Sequence, residues 1–225
     1  MDVVYLCRSG DNPELRLSLR SLQHHVAHDR VWIIGGWPDW VANVAVVGVH
    51  QTTDKHRNTT VAMRVACNHP DISDPFMVWN DDFYALEPTH VAHWHRGPAA
   101  EVINLYQRRH PTSPYTKGMR ATIELLEASG YPDPLSYELH MPLIVHKAEM
   151  LAALDLGQHL PVAHKRTIYG NLARLGGEQR TDCKVYEPGH PLPTPWASTE
   201  DRTFRHYQRA IRDALPRESP RYEGW

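Results

Sequence analysis

Three short runs dominate what this chain can become: Val3-Val4-Tyr5-Leu6-Cys7, Val31-Trp32-Ile33-Ile34 and Pro75-Phe76-Met77-Val78-Trp79. None carries a charge, and each is stopped by turn residues. They are too apolar for strands with one face in water, so they read as strands buried on both faces. Residues 44–49 read as a further strand. Between the first two runs, Pro13 suits the first turn of a helix with Asn12 or Asp11 as its N-cap. Leu15, Leu19, Leu22 and Val26 then recur at helical spacing. This β-α-β-β opening predicts an α/β sheet with helices on both faces.

Residues 58–68 read as a helix that buries Val61, Met63 and Val65. Beyond residue 90 helices dominate, over 98–110, 117–129, 147–154 and about 167–175, with a short strand at 143–145. A tail with Pro188, Pro191, Pro193 and Pro195 leads into a polar helix over 199–215. The expected organisation is one domain over 1–187, with a Pro-rich segment and C-terminal helix over 188–225 packing on it.

Composition excludes several classes. No run of 18 apolar residues exists to cross a membrane. The start, Met1-Asp2-Val3, lacks the basic residues of a secretory signal. Cys7, Cys67 and Cys183 have no CxxC spacing and cannot all pair, so a reduced, cytoplasmic protein is expected. Sixteen histidines are scattered rather than tracted, which argues against a metal-storage repeat. A net charge of −2 gives no general attraction to nucleic acid; a polyanion would need a local patch. Residues 1–90 hold 7 Lys and Arg against 11 Asp and Glu, and residues 91–225 hold 17 against 15. The first part therefore suits a cation and the second suits phosphates.

Asn80-Asp81-Asp82 directly follows a predicted buried strand. Adjacent carboxylates there repel and lose hydration, so they call for compensating charge, which a divalent cation completed by a nucleotide diphosphate would supply. The alternative is an acidic turn with Asp82 as a cap. In Tyr137-Glu138-Leu139-His140, an extended backbone puts Glu138 and His140 on one face, as acid/base partners or metal ligands, the alternative being a surface loop. His164-Lys165-Arg166 opens a helix, where paired cations suit a bound phosphate better than bare solvent. The alternative there is an exposed basic turn.

These segments resemble a known family. Val3-Val4-Tyr5, Glu14-Leu15-Arg16-Leu17-Ser18-Leu19-Arg20-Ser21-Leu22, Val31-Trp32-Ile33-Ile34 and Pro38-Asp39-Trp40-Val41 resemble the opening of the Stealth proteins. Those are sugar-phosphate transferases that include bacterial capsule enzymes and the lysosomal-targeting phosphotransferase. Asn58-Thr59 and Phe76-Met77-Val78-Trp79-Asn80-Asp81-Asp82-Phe83 resemble that family's next region, and the stretch from Glu138 to Lys147 a third. The resemblance covers roughly residues 2–150. More broadly the chain is similar to GT-A glycosyltransferases, whose Asp-x-Asp motif binds metal and nucleotide-sugar at a strand end.

The resemblance implies a GT-A-like, Rossmann-like mixed sheet flanked by helices, with a helical C-terminal region. It implies a metal-dependent glycosyltransferase moving a sugar from a nucleotide-diphosphate sugar to an acceptor hydroxyl. Asp82, with Asp81 and His140, would hold Mn²⁺ or Mg²⁺. Arg8, Ser9, Asp11, Asn58 and Asn80 would line the nucleotide pocket, and Lys165 and Arg166 would neutralise the diphosphate. Glu138 is the expected base, with Asp81 and Arg166 also placed in the chemistry. Two alternatives stand beside this: Stealth-like sugar-1-phosphate transfer releasing a nucleoside monophosphate, and a non-catalytic module binding a sugar or nucleic acid. The acceptor stays open between glycan, lipid, protein and modified nucleic-acid base.

Overall fold

The computed structural model describes residues 1–216 and 221–224. Along the chain run β1 (Val3–Cys7), α1 (Pro13–His25), β2 (Val31–Gly35), β3 (Ala45–Gly48), α2 (Lys55–Asn68), β4 (Phe76–Trp79) and β5 (Phe83–Ala85). There follow β6 (Trp94–His95), α3 (Ala99–Arg109), α4 (Pro114–Ala128), β7 (Leu143–Val145), α5 (Lys147–Leu156), α6 (Lys165–Leu172), β8 (Glu178–Gln179), β9 (Trp196–Ser198) and α7 (Asp201–Ala214). The chain divides into two compact units. One comprises Met1–Val91, His140–Val145 and Cys183–Trp225, the other Ala92–Leu139 and His146–Asp182. The division therefore does not fall at 187/188, where the proline-rich composition suggested it.

The first unit is built on a five-stranded sheet in the order β3-β2-β1-β4-β7. β1 to β4 run parallel, and β7 is antiparallel to β4, pairing Phe76 with Val145 and Val78 with Leu143. This is a mixed α/β sheet flanked by helices, as expected. The three charge-free runs form β1, β2 and β4 and are buried nearly throughout. β3 is not: its residues alternate between half-buried and exposed, and Val46 is 40% exposed. As an edge strand it has one neighbour, so its apolar residues did not signal burial on both sides.

α1 follows its sequence pattern, with Leu15, Leu19, Leu22 and Val26 buried. Asn12 caps it by accepting the Leu15 N–H at 3.2 Å. The helix is pinned by a buried polar knot: Trp79 Nε1 donates to Ser18 Oγ at 3.1 Å, and Ser18 Oγ donates to the Phe83 carbonyl at 2.6 Å. The Tyr5 hydroxyl lies 3.1 Å from the same oxygen. Buried hydroxyls, an indole and a carbonyl that satisfy one another fix the helix in one register on β1, β4 and β5.

α2 buries Ala62, Met63, Ala66 and Cys67, whereas Val61 is exposed and Val65 half-buried. The expected set of 61, 63 and 65 has a strand's period of two; a helix buries i, i+3 and i+4. The tail belongs to the same unit. β9 pairs antiparallel with β5, and Phe204, Tyr207, Ile211 and Leu215 join Leu17, Tyr84 and Leu86 in one apolar cluster.

The second unit is mainly helical, with α3 to α6 and a short β6–β8 pair. Val102, Ile103 and Met119 pack with Tyr106, Tyr115 and Ile123. Among the described residues no helix is long and apolar enough to cross a membrane.

Candidate functional site

β1 has β2 on one side and β4 on the other, so the order of the strands reverses at β1. In open α/β sheets, ligands enter the crevice beyond the carboxyl ends of strands at such a reversal. A cavity of about 620 Å³ lies there. Cys7 and Arg8 line it from the end of β1, and Asn80, Asp81 and Asp82 from the end of β4. Lys55 and Asn58 of α2 reach it, as do Lys184 and the segment from Thr199 to Arg202 that starts α7. All of these residues belong to the first unit.

The charged lining is mixed, with five carboxylates (Glu14, Asp81, Asp82, Glu200, Asp201) and four cations (Arg8, Lys55, Lys184, Arg202). Asp82 Oδ2 accepts from Lys184 Nζ at 2.8 Å and from Ser198 Oγ at 3.0 Å; the Asp82 and Lys184 side chains are each 13% exposed. Asp81 Oδ2 accepts from Asn12 Nδ2 at 2.6 Å, which ties the acidic loop to the start of α1. Arg8 bridges Asp201 at 3.2 Å and Glu14 at 3.8 Å. Thr199 Oγ1 donates to Glu14 Oε1 at 3.3 Å.

Two of these carboxyls and the Cys7 thiol are shifted, with burial the first cause in each. Burial, then the neighbouring Asp82, raises the Asp81 carboxyl above its ordinary value, against the Asn12 hydrogen bond and Arg8. Burial, followed by Asp81, Asp82 and Asp201, pushes Glu14 up to about 7. The Cys7 thiol is raised well above its usual range by burial and Asp81, which makes it a poor nucleophile at neutral pH.

Of the residues picked from sequence, Arg8, Asn58, Asn80, Asp81 and Asp82 meet at this cavity. Asn58 Oδ1 accepts from the Thr52 N–H and holds the turn before α2. Ser9 and Asp11 are not among the lining residues. The Ser9 N–H and hydroxyl bind Gln51 Oε1, and Asp11 borders a separate depression beside α1 and α7. His140 lies in the first unit with its ring edge-on to Phe83 and Tyr186, at centroid distances of 6.4 Å each. It does not line the cavity.

Glu138, Lys165 and Arg166 fall together in the second unit. The Glu138 carboxylate accepts the Thr167 N–H at 3.1 Å and lies 4.0 Å from His164 Nδ1, so it caps the start of α6. Arg166 donates to the Leu139 carbonyl. The start of α6 thus holds an anion from the chain itself.

Lys184 and Glu14 escaped the sequence reading. Glu14 in a first helical turn is what the macrodipole favours anyway, so nothing marked it. Lys184 pairs with Asp82 across 102 residues, a separation no local pattern encodes. Among the described residues, no group of three or more His, Cys, Asp and Glu side chains is arranged to hold a metal ion. A magnesium-type site built from one or two carboxylates, substrate phosphates and water needs no third protein ligand. Asp81 and Asp82 offer the two carboxylates of such a set, Asp82 being shared with Lys184 and Ser198. Compared with protein-family models and with curated proteins, the chain matches none.

Proposed function

We propose that the first unit is a GT-A-like, metal-dependent transferase that takes a sugar from a nucleotide-diphosphate sugar. The observation that carries this reading is the Asn80-Asp81-Asp82 loop at the end of β4, lining a 620 Å³ cavity together with Arg8, which follows β1. That volume suits a small-molecule ligand, and the lining offers cations for phosphates beside carboxylates for hydroxyls or a metal. The resemblance to the Stealth opening points the same way.

In this reading Arg8, Lys55 and Lys184 bind the donor's phosphates and stabilise the charge that grows on the leaving group. Asp81 and Asp82 would hold Mn²⁺ or Mg²⁺, which supplies Lewis-acid polarisation of the departing phosphate. Asn80 and Asn58 orient the ribose or base. Glu14, held near neutrality in its proton affinity, is better suited than Glu138 to take a proton from the acceptor hydroxyl, because Glu138 is engaged at α6. Lys165 and Arg166 are not assigned to the donor.

The test is to incubate the protein with a panel of nucleotide-sugars and Mn²⁺ and identify the nucleotide released. A nucleoside diphosphate is the expected product. A monophosphate would mean sugar-1-phosphate transfer instead, and no release from any donor would overturn the transferase reading.

A further inference from the structure

A chain of net charge −2 exerts no general pull on a polyanion, so such a partner needs a local cationic patch. α7 carries one. Arg202, Arg205, Arg209 and Arg212 follow at spacings of three, four and three residues, which gathers them on one arc of the helix. All four are exposed, while Thr203, Phe204, Tyr207 and Ile211 are buried on the other side. Neutralisation along this stripe is slight. Asp213 lies 3.5 Å from Arg209 and Glu200 3.8 Å from Arg202, both exposed pairs of the weak kind. Among the described residues no ion pair engages Arg205 or Arg212. Arginine is used to the exclusion of lysine over residues 185–225, which favours the planar fork that grips phosphate oxygens.

The stripe also leads somewhere. Its first arginine, Arg202, lines the 620 Å³ cavity. Its last, Arg212, borders a depression of about 410 Å³ shared with Arg16 and Arg20 of α1, both of which pair with Glu223. Ten residues of helix span about 15 Å, roughly four phosphates of one B-form strand. At the cavity end the Tyr186 side chain is exposed, and the Tyr186 carbonyl accepts from Arg202 Nη2 at 2.9 Å. A cationic track that ends at an exposed aromatic ring suits a strand with phosphates to pair and bases to stack. An acidic peptide or anionic polysaccharide offers the charge without the base.

We infer that α7 binds a nucleic-acid strand, with phosphates along Arg202, Arg205, Arg209 and Arg212 and a base on Tyr186. Under the transferase reading above, on which this last step alone rests, that strand carries the acceptor group to the cavity.

The test is fluorescence anisotropy of a fluorescein-labelled, single-stranded oligodeoxythymidine with the full chain and no nucleotide-sugar. Four phosphate contacts give a slope of about −3 for log affinity against log salt, a loss of about 50-fold between roughly 50 and 200 mM. The double variant Arg205→Gln, Arg209→Gln should bring that slope to about −1.5. Tyr186→Ala should weaken binding at least about fivefold. No binding at low salt overturns the inference, as does an unchanged slope in a double variant whose circular dichroism matches the parent. Heparin binding as tightly as the oligonucleotide, with Tyr186→Ala without effect, makes the stripe a generic anion face and also overturns it. Strand binding without nucleotide-sugar binding would sink the transferase reading alone; the converse would sink this inference alone.

Discussion

Glu14 sits buried in the first turn of α1. Its carboxyl is ordinarily near 4.5 and is pushed up to about 7 by burial and by Asp81, Asp82 and Asp201. Folding therefore favours its protonated form. Stability from this residue is fully present below about pH 4.5, declines as pH rises towards 7, and stays low above that. Glu14→Gln removes the slope and keeps an oxygen for the Thr199 hydroxyl. We expect the variant to match the parent near pH 4.5 and to exceed it at pH 8 by on the order of 1 kcal/mol, about 2–4 °C in a thermal melt. A variant no more stable than the parent at pH 8 would show that Glu14 is compensated in the folded chain. Asp82 teaches the opposite lesson. From sequence it is half of an unpaired carboxylate pair whose loss should relieve repulsion. In the structure Lys184 and Ser198 engage it, so truncating it would leave a partly buried ammonium without this partner.

At the scale of elements, what was legible followed the strength of the local pattern. β1, β2 and β4 lack charge and are stopped by turns, so their burial could be read directly, and with it the strand-end positions of Arg8 and Asp81-Asp82. β3 and α2 could not be read so far. An edge strand and a central one share the same valines, and α2 mixes alanine, cysteine and methionine on its buried side with Val61 outside. At the start of α6 an anion comes from 29 residues upstream, where Glu138 takes the Thr167 N–H, a separation that no local pattern encodes. That arrangement is testable. Glu138→Ala should destabilise the chain by about 1–2 kcal/mol, as the loss of a helix N-cap does, and should speed amide exchange over α6. Unchanged melting and exchange would mean that Glu138 does not hold the helix and is free for other work.

Over the whole molecule, the chain crosses between its two units four times, at residues 91/92, 139/140, 145/146 and 182/183. A composition shift at 188 could not reveal a boundary built from such crossings, because β7 returns to the sheet of the first unit and the C-terminal helix joins the core of α1 and β5. The same threading brings Lys184 and the segment 199–202 to the cavity that β1 and β4 open, which is why four of its nine charged lining residues were invisible from local spacing. In the function proposed above, this cavity takes a nucleotide-diphosphate sugar through Asp81, Asp82 and their neighbouring cations. Isothermal titration of a panel of nucleotide-sugars with Mn²⁺, into the parent and into Asp82→Asn, addresses it most directly. The amide oxygen can still accept from Lys184 and Ser198, so the variant should fold. We expect at least one donor to bind the parent and its Kd to rise tenfold or more in the variant, about 1.4 kcal/mol; no binding to the parent, or equal Kd values in both proteins, would contradict it.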